Sequence, residues 1–257
     1  MAKEMKKNKA IEIRYLEKTD IGKKRKVNQD AVLARKAGET ALFVVADGMG
    51  GHSHGEYASS EIVSACKRYW EQEVSPKGDK SFSVLLQEVE QVLQEASNKI
   101  YVQYNRAAIC GSTVVVLLLA EGCYGVLSVG DSHIYTYCER ELSLLTTDDI
   151  WDNLSVTREQ YTEEEIKYHV NRGRLVGAMG IGETVSLHVQ TGRFAKKQKF
   201  MLCSDGLYKY CDDAYLKRTL KQLKSERSMM KVAKRYMEHA YRQGANDNIS
   251  FILVDVF

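Results

Sequence analysis

Residues 41–52 read Ala-Leu-Phe-Val-Val-Ala-Asp-Gly-Met-Gly-Gly-His. Six apolar or small residues in succession describe a buried strand. The run stops at Asp47, and the glycines behind it predict a turn at that point. A lone carboxylate at the end of a core strand costs several kcal/mol to bury, so something must offset it. A cation is the simplest candidate, because a bound metal keeps a buried carboxylate ionised. Gly48 leaves its backbone carbonyl open to approach, and Gly50 and Gly51 allow a tight loop. Taken alone, an ordinary Asp-Gly hairpin turn explains the same residues.

The pattern recurs. Residues 124–130 lead into Asp131, residues 200–204 lead into Asp205-Gly206, and Asp247 stands just before the apolar run 249–256. Four strands, each with an Asp at one end, make a constellation. Carboxylates without His or Cys partners form a hard oxygen site, which suits Mg²⁺ or Mn²⁺ rather than zinc.

A chain of 257 residues, 44% hydrophobic and 28% charged, has material for a sizeable core. A net charge of +3 is too small to argue for nucleic acid. The six cysteines form no Cys-x-x-Cys pair, and several sit in apolar runs as buried thiols do. The first ten residues are polar and lysine-rich, unlike a secretory signal, and are expected to be a flexible basic tail. The longest apolar run, residues 114–120, is too short to span a membrane. A cytoplasmic monomer with no membrane or nucleic-acid partner is expected.

Along the chain, residues 11–16 alternate as a half-buried strand does. Lys23 to Lys26 is a solvated basic loop by default, yet it contains Arg25, and arginine grips phosphate with two parallel hydrogen bonds. Asp30 opens a strand that should hairpin with residues 42–46. Residues 56–73 and 83–104 carry apolar side chains at three- and four-residue steps and predict two helices. A loop around Pro76 and Gly78 separates them. Four strands follow within residues 112–145, read as a β-meander. Residues 146–174 are polar around Trp151, and Thr162 with Glu165 forms a capping-box pattern opening a short helix to Val170. Such a long insertion reads as a functional surface loop. Strands over 185–190 and 199–204, a helix capped by Asp212 and Asp213, a helix over 228–242 ended by Gly244, and a final strand over 249–256 complete the reading.

With these residues in hand, the chain resembles the metal-dependent protein phosphatases of type 2C, the PPM family, in their bacterial form. Thr19-Asp20-x-Gly22-x-x-Arg25-x-x-Asn28-Gln29-Asp30 is similar to the family's first motif, and residues 46–52 are similar to its second. Gly111-Ser112-Thr113, Gly130-Asp131-Ser132, Cys203-Ser204-Asp205-Gly206-Leu207 and Asp247-Asn248-Ile249 follow in order and spacing. The likeness runs from about residue 11 to residue 257.

The resemblance implies an α/β (α+β) fold: one domain over residues 11–257, a four-layer α/β/β/α sandwich of two antiparallel sheets flanked by helices. It implies Asp47 bridging two ions of Mn²⁺ or Mg²⁺, Asp205 and Asp247 completing the first site, and the Gly48 carbonyl serving the second with Asp30 nearby through water. Asp131, with Asp205, would hold a weaker third ion. Arg25 would bind substrate phosphate, and residues 146–174 would form a flap beside the site. A water activated between two metals would then hydrolyse phosphoserine and phosphothreonine proteins. A cognate Ser/Thr kinase is the implied counterpart. His52 is open between two roles, general acid or loop histidine that shapes the glycine turn. Cys203 reads as a buried strand thiol rather than a nucleophile. The departures are His133 in place of an Arg, Lys209 in place of an acid, Val170 in place of a proline, and an apolar flap tip at Ile150 and Trp151. A small-ester hydrolase with the same site is one alternative. The other is a catalytically weak phosphoprotein-binding module on the same scaffold. Such a module should have lost a core ligand or the phosphate arginine, and Asp47, Asp205, Asp247 and Arg25 are all present.

Overall fold

The computed structural model describes residues 11–50, 55–75, 80–104 and 110–257. The expected tail, His52 and the loop around Pro76 and Gly78 lie outside them.

In chain order the elements are β1 (Ile13–Asp20), β2 (Asp30–Ala37), β3 (Thr40–Met49), α1 (Gly55–Tyr69), α2 (Phe82–Tyr104), β4 (Gly111–Ser112), β5 (Val114–Ala120), β6 (Cys123–Val129), β7 (His133–Cys138) and β8 (Glu141–Leu144). Then come α3 (Ser155–Gln160), α4 (Glu163–Tyr168), β9 (His188–Arg193), β10 (Lys199–Cys203), α5 (Asp205–Tyr208), α6 (Asp213–Leu220), α7 (Glu226–Arg242) and β11 (Ile249–Val256). One sheet runs β2-β3-β5-β6-β9 with β4 paired to β3, the other β1-β11-β10-β7-β8. Among the described residues, neighbouring strands pair antiparallel throughout.

Side-chain alternation builds the layers. In β3, Leu42, Val44 and Ala46 pack with Val116 and Leu118 against Ile62 of α1 and Leu93 and Ile100 of α2. The intervening Ala41, Phe43 and Val45 meet Phe200, Ile252 and Val254 of the opposite sheet. That second sheet turns Met201, Phe251 and Leu253 outward onto Leu216 of α6 and Val232 and Tyr236 of α7. The result is the expected helix–sheet–sheet–helix stack. Both faces of β3 are covered, which is why its apolar run is continuous instead of alternating.

Several expectations are corrected. β3 does not stop at Asp47 but runs on to Met49, because β4 offers a partner, with Gly48 opposite Ser112. The four strands after α2 are not one meander. β5 pairs β6, β7 pairs β8, and the chain crosses between sheets at Gly130. Gly130 has φ +98°, and a Cβ there would overlap the Thr113 side chain, so only glycine fits the crossing. The strand read over 185–190 begins at His188. The last helix begins at Glu226 rather than Ser228, with Ser225 as its cap and Ser228 closing a capping box. The last turn after α1, Trp70–Val74, is π-helical. Among residues 146–174 the Thr162–Glu165 capping box is present and opens α4, which ends at Tyr168 rather than Val170. Trp151 is not an isolated tip. Its ring stacks on His169 at 4.1 Å and tilts against Tyr161 at 5.4 Å, a small core inside the flap.

Candidate metal centre

Asp30 and Asp47 are direct cross-strand partners at one end of the β2–β3 hairpin. The same end of the sandwich receives Asp131 from the crossing, Asp205 from the first turn of α5 and Asp247 from the residues before β11. Four of these five acids, Asp47, Asp131, Asp205 and Asp247, line one cleft of about 290 Å³ together with Arg25, Gln29, Gly48, Met49, Thr113, Leu175 and Asn248. Asp30, cross-strand from Asp47, is 8% exposed, and its Oδ2 accepts a hydrogen bond from Ser204 Oγ at 2.8 Å.

Local folding explains the convergence. The Asp47 carbonyl accepts from Thr113 N and from Ser112 Oγ, each at 2.9 Å. Thr113 Oγ1 in turn lies 2.7 Å from Ser132 Oγ, which ties β5 to the crossing. Asn248 accepts from Gln29 N at 2.8 Å and donates to the carbonyls of Ile21 and Val27, pinning both ends of the loop that carries Arg25. Gly206 brings α5 against β11, since a Cβ there would overlap the Asn248 carbonyl. Asp205 and Asp247 approach each other for this reason.

The site is strongly anionic. Burial pushes the Asp47 carboxyl well above its usual range, and the charges of Asp30, Asp205, Asp131 and Asp247 push it further. Burial raises Asp30 to about 6, with Ser250 and Ser204 opposing and neighbouring acids adding to the rise. Burial and Asp205 raise Asp131 to about 6. Two protein cations reach in. Arg25 Nη2 donates to Asp247 Oδ2 at 2.7 Å, which raises the arginine further. Lys209 Nζ donates to Asp205 Oδ2.

Hard divalent cations fit this donor set. Asp30 Oδ1 and Asp205 Oδ1 are buried and meet no hydrogen-bond donor among the described residues. Buried carboxylate oxygens without donors are costly unless an ion takes them. Among the described residues no three acidic, histidine or cysteine side chains already converge as a closed cage. Asp247 and Asp205 instead carry Arg25 and Lys209, which an incoming ion would have to displace from the oxygens it takes.

The structure thus brings together Arg25, Asp30, Asp47, Gly48, Asp131, Asp205 and Asp247; His52 lies outside the described residues. Cys203 is fully buried, and burial pushes its thiol well above the usual range, so it is no nucleophile. His133 is a buried brace: Nε2 lies 2.8 Å from Asp148 Oδ1, Nδ1 2.9 Å from the Tyr135 hydroxyl, and the ring stacks on Tyr208 at 3.7 Å. The acceptor-only carboxylate places the proton on Nε2. Gln29, Thr113 and Asn248 belong to quoted motifs but had been given no role. Nothing in the sequence marked Leu175.

The protein phosphatase 2C family model matches residues 22–253. Serine/threonine protein phosphatase PstP of Mycobacterium tuberculosis is 29% identical over 247 residues, 95% of this chain but 45% of PstP, so the chain spans about half the length of that relative. Serine/threonine phosphatase stp of Listeria monocytogenes is 28% identical over 244 residues, 93% of this chain and 94% of that protein. The solved catalytic domain of PstP, in complex with two manganese ions, superposes with a TM-score of 0.75 at 29% identity, covering 96% of this chain and 99% of that one.

Proposed function

The chain belongs to the protein phosphatase 2C family, and on that footing we propose that it is a metal-dependent phosphoprotein phosphatase acting on phosphoserine and phosphothreonine. One observation carries the reading: acids from four distant segments line a single cleft with Arg25. Two buried carboxylate oxygens there, of Asp30 and Asp205, meet no donor among the described residues.

Asp47, Asp205 and Asp247 with the Gly48 carbonyl would hold two Mn²⁺ or Mg²⁺ ions, with Asp30 behind them and Asp131 at the far end beside Asp205. Such ions supply a nucleophile from water near neutral pH and neutralise charge on phosphoryl oxygens. The chain's own groups do the rest. Arg25 lies on the cleft wall with its guanidinium on Asp247. Released from that carboxylate, its fork matches two phosphoryl oxygens and orients the ester. Thr113, Ser132 and Asn248 hold the acids and the Arg25 loop in place, so little reorganises during turnover.

The test is hydrolysis of a phosphothreonine peptide by chelator-stripped protein before and after Mn²⁺. Restored turnover supports the reading, and equal rates with and without chelator sink it. The physiological substrates and a partner kinase belong to the same proposal, to be identified with phosphoproteins as probes. Among the described residues, no helix is long and apolar enough to cross a membrane.

A further inference from the structure

The Asp131 end of the cleft carries a cation that belongs to the chain. Lys209 follows the single turn of α5 and its N–H donates to the Asp205 carbonyl at 3.2 Å. Four residues apart on a helical turn, the two side chains share a face. Lys209 Nζ takes Asp205 Oδ2, while Asp205 Oδ1 stays buried without a donor. The acid is therefore divided, one oxygen held by lysine and one left for an ion. The neighbouring Tyr208 ring, stacked on His133, steadies the turn that presents the lysine.

We propose that Lys209 is a tethered counter-cation for the Asp131–Asp205 end of the cleft, standing in for a further divalent ion, so that the chain binds two ions and not three. The proposal rests on the two-ion reading above. A divalent ion entering at that end would meet an ammonium already on Asp205. It would either tolerate a like charge at close range or strip off a group whose tether keeps its local concentration high. Lys209 is thus a positioning residue: it sets the charge and aim of Asp205 without touching substrate.

The experiment uses the full chain, stripped with chelator and titrated with Mn²⁺ alone, bound ions being counted by calorimetry and by electron paramagnetic resonance. The wild type should saturate at two ions. Lys209→Met, matched by its melting curve for intact fold, should take up a third, with a Kd about tenfold or more tighter than any third uptake by the wild type. Lys209→Arg, which keeps the charge, should stop at two. A wild type that takes up a third ion as tightly as Lys209→Met, or a Lys209→Met that stops at two, overturns the proposal. A wild type that binds no Mn²⁺ overturns the two-ion reading itself, and this one with it.

Discussion

Asp30 and Asp47 stand directly opposite each other on β2 and β3, both largely removed from solvent, with no arginine or lysine paired to either among the described residues. Like charges in direct cross-strand register repel. The arrangement is therefore a liability in the protein alone and an asset once a cation is present.

The first prediction concerns pH. The folded carboxyls of Asp30 and Asp131 are raised from an ordinary 3.8 to about 6, so between those values the folded state holds more protons than the unfolded one. Stability of the metal-free protein therefore falls as pH rises through that window, by on the order of 2–3 kcal/mol for each group. Melting curves in chelator should drop from pH 5 to pH 7.5, and Mn²⁺ should flatten the drop. A metal-free melting point that climbs over this range contradicts the assignment.

Asp47→Asn separates stability from function. Removing the Asp47 charge, which burial and four neighbouring acids disfavour, should stabilise the metal-free protein at pH 7.5 by about 2 kcal/mol, seen in denaturant unfolding. The same substitution should reduce Mn²⁺-dependent hydrolysis of a phosphothreonine peptide by about a thousandfold or more, as loss of a transition-state charge stabiliser does.

Arg25→Ala should act on binding. Its guanidinium is half-exposed and, among the described residues, is held by Asp247. Steady-state kinetics should show KM for the phosphopeptide rising about tenfold or more with kcat changed far less. A collapse of kcat at unchanged KM would assign Arg25 to the chemical step instead.

The acids and the elements that deliver them were legible because each stands where an apolar run ends. Residues 249–256 match their strand to the residue. What escaped was pairing. Nothing local in residues 112–145 shows that β6 and β7 belong to different sheets, since that depends on Gly130 folding over Thr113. Ser225 was missed as a cap because Ser228, three residues on, has the same chemistry. Trp151 looked exposed because its partners Tyr161 and His169 are ten and eighteen residues away. The bracing roles of Thr113 and Asn248 are three-dimensional facts with no periodic signature.

Gly206→Ala should fail on backbone grounds. The added methyl meets the Asn248 carbonyl, which belongs to the strand end and cannot swing aside. A loss of about 3 kcal/mol or more in denaturant unfolding is expected, with weakened Mn²⁺ binding in whatever folds.

Trp151→Ala should loosen the flap alone. The ring pairs with His169 and Tyr161 are worth about 0.5–1.5 kcal/mol each and lie away from the main core. Trypsin should cut faster at Arg158, Lys167 and Arg172, while the global unfolding midpoint shifts little.

Two successive residues root that insertion. Asp148 receives His133 of β7, and Asp149 receives His188 of β9 and the Gly130 N–H. Consecutive side chains on extended backbone point opposite ways, so one dipeptide rivets both halves of the sandwich without a spacer. An isolated antiparallel bridge between Ile150 and Leu175 then closes the neck just beyond. Residues 152–173 thus hang from a neck tied to both sheets, and exchanging them should leave the acids beneath in register, as unchanged Mn²⁺ affinity of a variant with a remodelled insertion would show.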